Sequence, residues 1–202
     1  MKQQIIVIHG GDTHRTYREY LVALKKYKLN YRNLTQGGWK ENLQSALGSK
    51  FEVELLKMPN PLNARYVEWA IMFRKLLPFL KGRPIFVGHS LGGIFLAKYL
   101  SENRLPKKMR ATFLVAAPYG NDRRRIRNRS LADFILPKSL VRFQRQCRDI
   151  FLYQSEDDLS VPFSHLDKYR RALPEAHPVI FKNRGHFSQR TFPELVRHIK
   201  KL

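Results

Sequence analysis

The sequence predicts an α/β fold, a three-layer α/β/α sandwich on a mostly parallel sheet of about six strands. Three observations carry that expectation. Six short apolar runs rich in β-branched or aromatic residues recur along the chain. Most lack the polar–apolar alternation of a half-solvated sheet, and helical patterns fill the gaps between them.

The runs are residues 4–9, 51–56, 84–88, 112–117, 149–153 and 178–182. Each has the length of a buried strand. Between the first two, segments 14–27 and 38–47 read as two helices in one crossover. Residues 64–80 set Tyr66, Ala70, Phe73, Leu77 and Leu80 at steps of three and four, one face of a helix. Residues 91–101 follow the third run with Ile94, Phe95, Ala97 and Leu100. Residues 163–172 and 191–201 are further helices, the second with Pro193 in its first turn, where proline is tolerated. Strands alternating with helices imply a parallel sheet covered on both faces. Residues 118–148 break the rhythm and are long for a simple crossover, so they are expected to hold a lid-like segment.

The chain has 202 residues, which suits one domain, 1–202, with a sizeable core. Its apolar fraction of 43% argues against wholesale disorder. The charge is extreme: 38 Lys and Arg against 16 acids give +22. The basic residues run along the whole chain and are densest at 101–150, with 13 Lys/Arg to 4 Asp/Glu. Such a surface implies nonspecific attraction to polyanions rather than a dedicated nucleic-acid function. One cysteine, Cys147, rules out a disulfide framework within the chain and reads as a structural thiol. The apolar run at 5–8 is too short for a signal-peptide core or a membrane span, and a cytoplasmic location is the expectation.

Chemistry concentrates in FVGHSLGG, residues 86–93. Gly88-His89-Ser90-Leu91-Gly92 is a G-x-S-x-G pattern between a strand and a helix. That turn strains the serine backbone, and glycines on either side relieve the crowding. Ser90 is thereby exposed over a helix N-terminus as a nucleophile. A serine hydroxyl needs a base, and the base an orienting acid. The acid is expected in the loop after the fifth strand, in SEDDLSVP, where Asp158 is preferred to Asp157. The other aspartate would be either a solvated neighbour or a hydrogen-bonding support for the loop, and both could instead cap the next helix. The base is His186, in NRGHF, on the loop before the last helix. His89 lies inside the elbow, His9 ends the first strand, and the other histidines fit the chain order or the loops less well. His9-Gly10-Gly11-Asp12 closes the first strand, and the amides of Gly11 and Leu91 are the expected oxyanion donors, against a plain glycine turn.

These segments resemble the small YdeN-like serine hydrolases, a group that includes the retinoblastoma-binding-protein serine hydrolases. The matching pieces are IIVIHGG, GGWKENL, KMPNPLNARYVEWAIMF, VGHSLGGIFLAKYL, LVAAPYG, SEDDLSVPFS and NRGHF, in order over most of the chain. The resemblance implies a compact α/β-hydrolase fold, a triad on Ser90, Asp158 and His186, no cofactor, and esterase activity on a small acyl substrate. Two features depart from the group: the insertion THRTYREYLVALKKYKLNYRNLTQ, which would reshape the pocket mouth, and the basic charge.

Five arginines within 123–129 form a basic loop, either a solvated surface or an electropositive lid for acidic substrates. The rival to an enzyme is a non-catalytic binding protein on a hydrolase scaffold. The presence of all three triad residue types disfavours it.

Overall fold

The computed structural model describes residues 2–29, 31, 37–120 and 130–202. Its strands are β1 (Gln3–Ile8), β2 (Phe51–Leu56), β3 (Ile85–His89), β4 (Met109–Val115), β5 (Cys147–Ser155) and β6 (His177–Phe181). Its helices are α1 (Tyr17–Lys26), α2 (Leu43–Leu47), α3 (Tyr66–Leu76), α4 (Leu91–Glu102), α5 (Val141–Gln146), α6 (Ser164–Ala172) and α7 (Pro193–Lys201). All six expected strands are present within a few residues of their expected ends.

The sheet order is β2-β1-β3-β4-β5-β6, and every neighbouring pair is parallel. Side chains alternate across the sheet, so the central strands feed two cores. Ile6, Ile8, Phe86 and Leu114 meet Trp69 and Phe73 of α3 and Phe95 of α4 on one face. Ile5, Val7, Val87 and Phe113 meet Leu43 of α2 and Leu195 and Ile199 of α7 on the other. This arrangement is the expected three-layer sandwich. The outer strands β2 and β6 are only partly buried, as edges are.

The helix expected over 64–80 ends early. Pro78 cannot continue the α-helical hydrogen bonding, and Leu77–Phe79 tightens into a 3-10 turn. The basic loop, 123–129, lies wholly outside the described residues. The part of the lid-like segment that is described packs down. Phe134 is fully buried, edge-on to Tyr66 and Trp69. Asp133 Oδ1 accepts from the Tyr66 amide at 2.9 Å, and Lys98 Nζ donates to the Asp133 carbonyl at 2.7 Å.

β1 and β3 are neighbours, but the chain leaves β1 for β2 on its other side. Crossovers therefore diverge at the carboxyl ends of β1 and β3, where open α/β sheets place their ligand sites.

Candidate active site

Ser90 follows β3 directly, with φ 53° and ψ −118°. A non-glycine residue pays for that backbone, and the surroundings enforce it. The Ser90 amide donates to the Val115 carbonyl at 2.8 Å, and the Gly93 amide donates back to the Ser90 carbonyl at 2.9 Å. A Cβ on Gly88 would lie 2.6 Å from the Gly92 carbonyl oxygen. A Cβ on Gly92 would press into the carbonyls of Ile8 and His9, 2.6 Å from the latter. The glycines let the first turn of α4 pass directly over β1 and β3.

Ser90, His186 and Asp158 form one hydrogen-bonded chain. Ser90 Oγ is 2.9 Å from His186 Nε2, and His186 Nδ1 is 2.9 Å from Asp158 Oδ2. A carboxylate oxygen can only accept, so Nδ1 carries the proton in this bond and Nε2 is left to accept from the serine hydroxyl. The Asp158 side chain is fully buried. Its Oδ1 accepts from the amides of Ser160 at 2.7 Å and Val161 at 2.9 Å, and Gln154 Nε2 lies 3.4 Å from Oδ2.

Asp157 points elsewhere. Its Oδ1 accepts from Ser155 Oγ at 2.5 Å and from the Gly185 amide at 2.8 Å. Those two donors, the hydroxyl first, hold its carboxyl below the usual range. It thus ties the end of β5 to the loop that carries His186.

That loop is held at three successive residues. Gly185, at φ 51°, gives its amide to Asp157. The His186 carbonyl accepts from His89 Nε2 at 2.9 Å. The Phe187 carbonyl accepts from the Trp39 indole at 2.9 Å. His89 is 7% exposed, and burial, then the charge of Lys40, drives its pKa well down. It is neutral, with its proton on Nε2, because the carbonyl can only accept. Its ring lies edge-on to Trp39, centroids 5.9 Å apart, and Lys40 Nζ stands 4.9 Å over the Trp39 indole.

His89 and Trp39 were not expected to serve the site. His89 was legible only as the variable residue of the elbow, and Trp39 only as part of GGWKENL. Trp39 lies 148 residues from the carbonyl it holds, and no local pattern reports a contact at that range.

Ser90 and His186 open onto a cavity of about 360 Å³. Gly10, Gly11 and Leu91 line it beside Ser90, and the amides of Gly11 and Leu91 donate to no group among the described residues. Leu62, Leu131 and Val161 form apolar wall, while Tyr27 and Leu159 stand at the rim. An apolar pocket with a few convergent polar groups is the usual form of a small-molecule site.

Comparison with known proteins fits this geometry. Residues 30–192 match the model of a family described as serine hydrolase. Serine hydrolase RBBP9 of Rattus norvegicus is 28% identical over 172 residues, covering 82% of this chain and 84% of that one. The ydeN gene product of B. subtilis superposes with a TM-score of 0.72 at 21% identity, over 99% of this chain and 98% of that one. A monoacylglycerol lipase of Paleococcus ferrophilus superposes at 0.58 and 15% identity, over 98% and 92%. The sheet is that of an α/β hydrolase, and the group resemblance expected from the sequence holds. The family match spans most of the chain, including the elbow and both loops that meet it, and this enzyme belongs to the serine hydrolase family.

Proposed function

We propose that the protein hydrolyses a carboxylic ester of a small acyl substrate through an acyl-enzyme formed on Ser90. The observation that carries this reading is the chain Ser90 Oγ to His186 to Asp158, with both links at 2.9 Å. His186 Nε2 takes the hydroxyl proton as Ser90 Oγ attacks the acyl carbon, and the carbonyl π electrons move to oxygen. The amides of Gly11 and Leu91 receive that oxyanion, and the N-terminus of α4 adds a favourable field. As the tetrahedral species collapses, His186 gives its proton to the leaving oxygen. Water then enters, loses a proton to His186 and attacks the acyl-enzyme. Collapse frees the acid and returns the proton to Ser90. Asp158 orients the imidazole and stabilises its protonated form throughout. No step calls for a metal or organic cofactor. One sheet built from both ends of the chain supports treating 1–202 as a single domain.

A fluorophosphonate probe tests the reading. Wild type is labelled, and Ser90→Ala is not labelled and loses ester turnover by at least about 10⁴-fold. Equal turnover in Ser90→Ala refutes the assignment. An unlabelled wild type across pH 6 to 9 favours a binding protein on the same scaffold.

A further inference from the structure

We propose that α1 docks on an anionic lipid surface and sets the mouth of the cavity against it. The crossover from β1 to β2 carries this helix, and none of its residues is buried. It is nonetheless well formed. Thr16 Oγ1 accepts from the Glu19 amide at 3.1 Å, and Glu19 Oε2 accepts from the Arg15 amide at 2.9 Å, a reciprocal cap.

The helix carries two stripes at steps of three and four. Tyr20, Ala23 and Leu24 make one, with Tyr27 just past the helix end at its C-cap. Tyr20 and Ala23 are its half-buried members, and Tyr27 reaches the rim of the cavity. Arg18, Leu21, Val22 and Lys25 make the other, and all four are exposed. Leu21 is 39% and Val22 48% exposed, bracketed along the helix by cations. Residues 14–29 hold five Lys/Arg and one acid, on a chain of +22.

Exposed aliphatic side chains framed by cations match the layered chemistry of a lipid headgroup region. The cations meet anionic headgroups, and Leu21 and Val22 leave water among acyl chains. Against RNA the cations would pair with phosphates, but the two aliphatic side chains would gain little. The cavity rim agrees from a separate element: Leu159, on the acid loop, lines the same mouth and is 89% exposed. Lipid-borne acyl esters are then the substrate class, a consequence that rests on the serine hydrolase reading above.

Vesicle partition tests the docking in a Ser90→Ala background, where the lipid stays intact. The protein should sediment with phosphatidylcholine vesicles containing phosphatidylglycerol, and at least tenfold less with phosphatidylcholine alone. Leu21→Ser with Val22→Ser keeps the charge at +22 and should lower partition at least fivefold. A partition unchanged by that pair would overturn the proposal, because diffuse charge would then account for binding. A second measurement does not depend on the double variant folding. Val22→Cys carries an environment-sensitive dye, and the one native cysteine, Cys147, is buried. Its emission should shift to the blue on anionic vesicles, and unchanged emission overturns the proposal. Retention on RNA without vesicle partition would assign the surface to a polyanion and also overturn it. Partition by a wild type that no phosphonate labels would refute hydrolysis and leave the docking standing.

Discussion

The elbow after β3 and the helix after β1 reach the same cavity by opposite means. At the elbow, steric exclusion and backbone hydrogen bonds leave one arrangement. A methyl group fits at neither Gly88 nor Gly92, and Ser90 is bonded at both its amide and its carbonyl. At α1, capping and propensity hold the helix, and packing adds little because no residue is buried. The difference separates two tasks. A reacting group must be fixed to within a fraction of an ångström, whereas a rim that meets a surface need only present the right chemistry.

Gly92→Ala presses hardest on this contrast. Its methyl group would overlap backbone carbonyls that cannot swing aside, so thermal or urea unfolding should show a loss of about 3 kcal/mol or more. A loss below about 1 kcal/mol would mean the elbow can relax, and the contrast with α1 would fail.

His89 probes the elbow's hold on His186. His89→Phe removes the donor to the His186 carbonyl and should lower kcat about tenfold or more with little change in KM. His89→Gln, whose amide can reach the same carbonyl, should recover most of that loss. Equal defects in both variants would show that ring volume matters rather than the hydrogen bond. The pH dependence of stability gives an independent reading. The folded state lowers the pKa of His89, so acid favours the unfolded state, which takes up the proton more readily. The stability this histidine contributes is present above its unfolded pKa, about 6.5, and is lost as pH falls below that value. His89→Gln should therefore flatten the acid side of the stability profile.

The smallest effect is expected at α1. Leu21→Ser with Val22→Ser should change unfolding free energy by no more than about 0.5 kcal/mol and leave hydrolysis of a soluble ester unchanged. A loss near 2 kcal/mol would show that α1 contributes to packing after all.

The two regions also differ in how plainly the sequence announces them. Strands buried on both faces betray themselves as apolar runs, and all six were found. The elbow was legible because its steric demand falls on adjacent residues. Ser90, His186 and the acidic pair were legible because chain order and strand ends restrict where each can sit. Asp157 and Asp158 could be ranked but not separated, since the choice turns on which carboxylate faces the imidazole after the loop folds. The hold of His89 and Trp39 on the His186 loop was not legible, because it spans 97 and 148 residues. The change to a 3-10 turn at Leu77–Phe79 and the short α5 are not legible for a simpler reason. Each is too brief to leave a periodic signal.

The all-parallel sheet has a consequence for how activity arrives during folding. Parallel neighbours cannot be joined by a tight hairpin, so every pairing closes a long loop before contacts repay it. The serine is locked by a bond to β4, and its partner histidine lies 96 residues further on, past β5 and β6. Helices can form early in such a chain, but the hydrogen-bonded corner can close only after the last strand has docked. A refolding population should therefore regain helical signal well before it regains turnover.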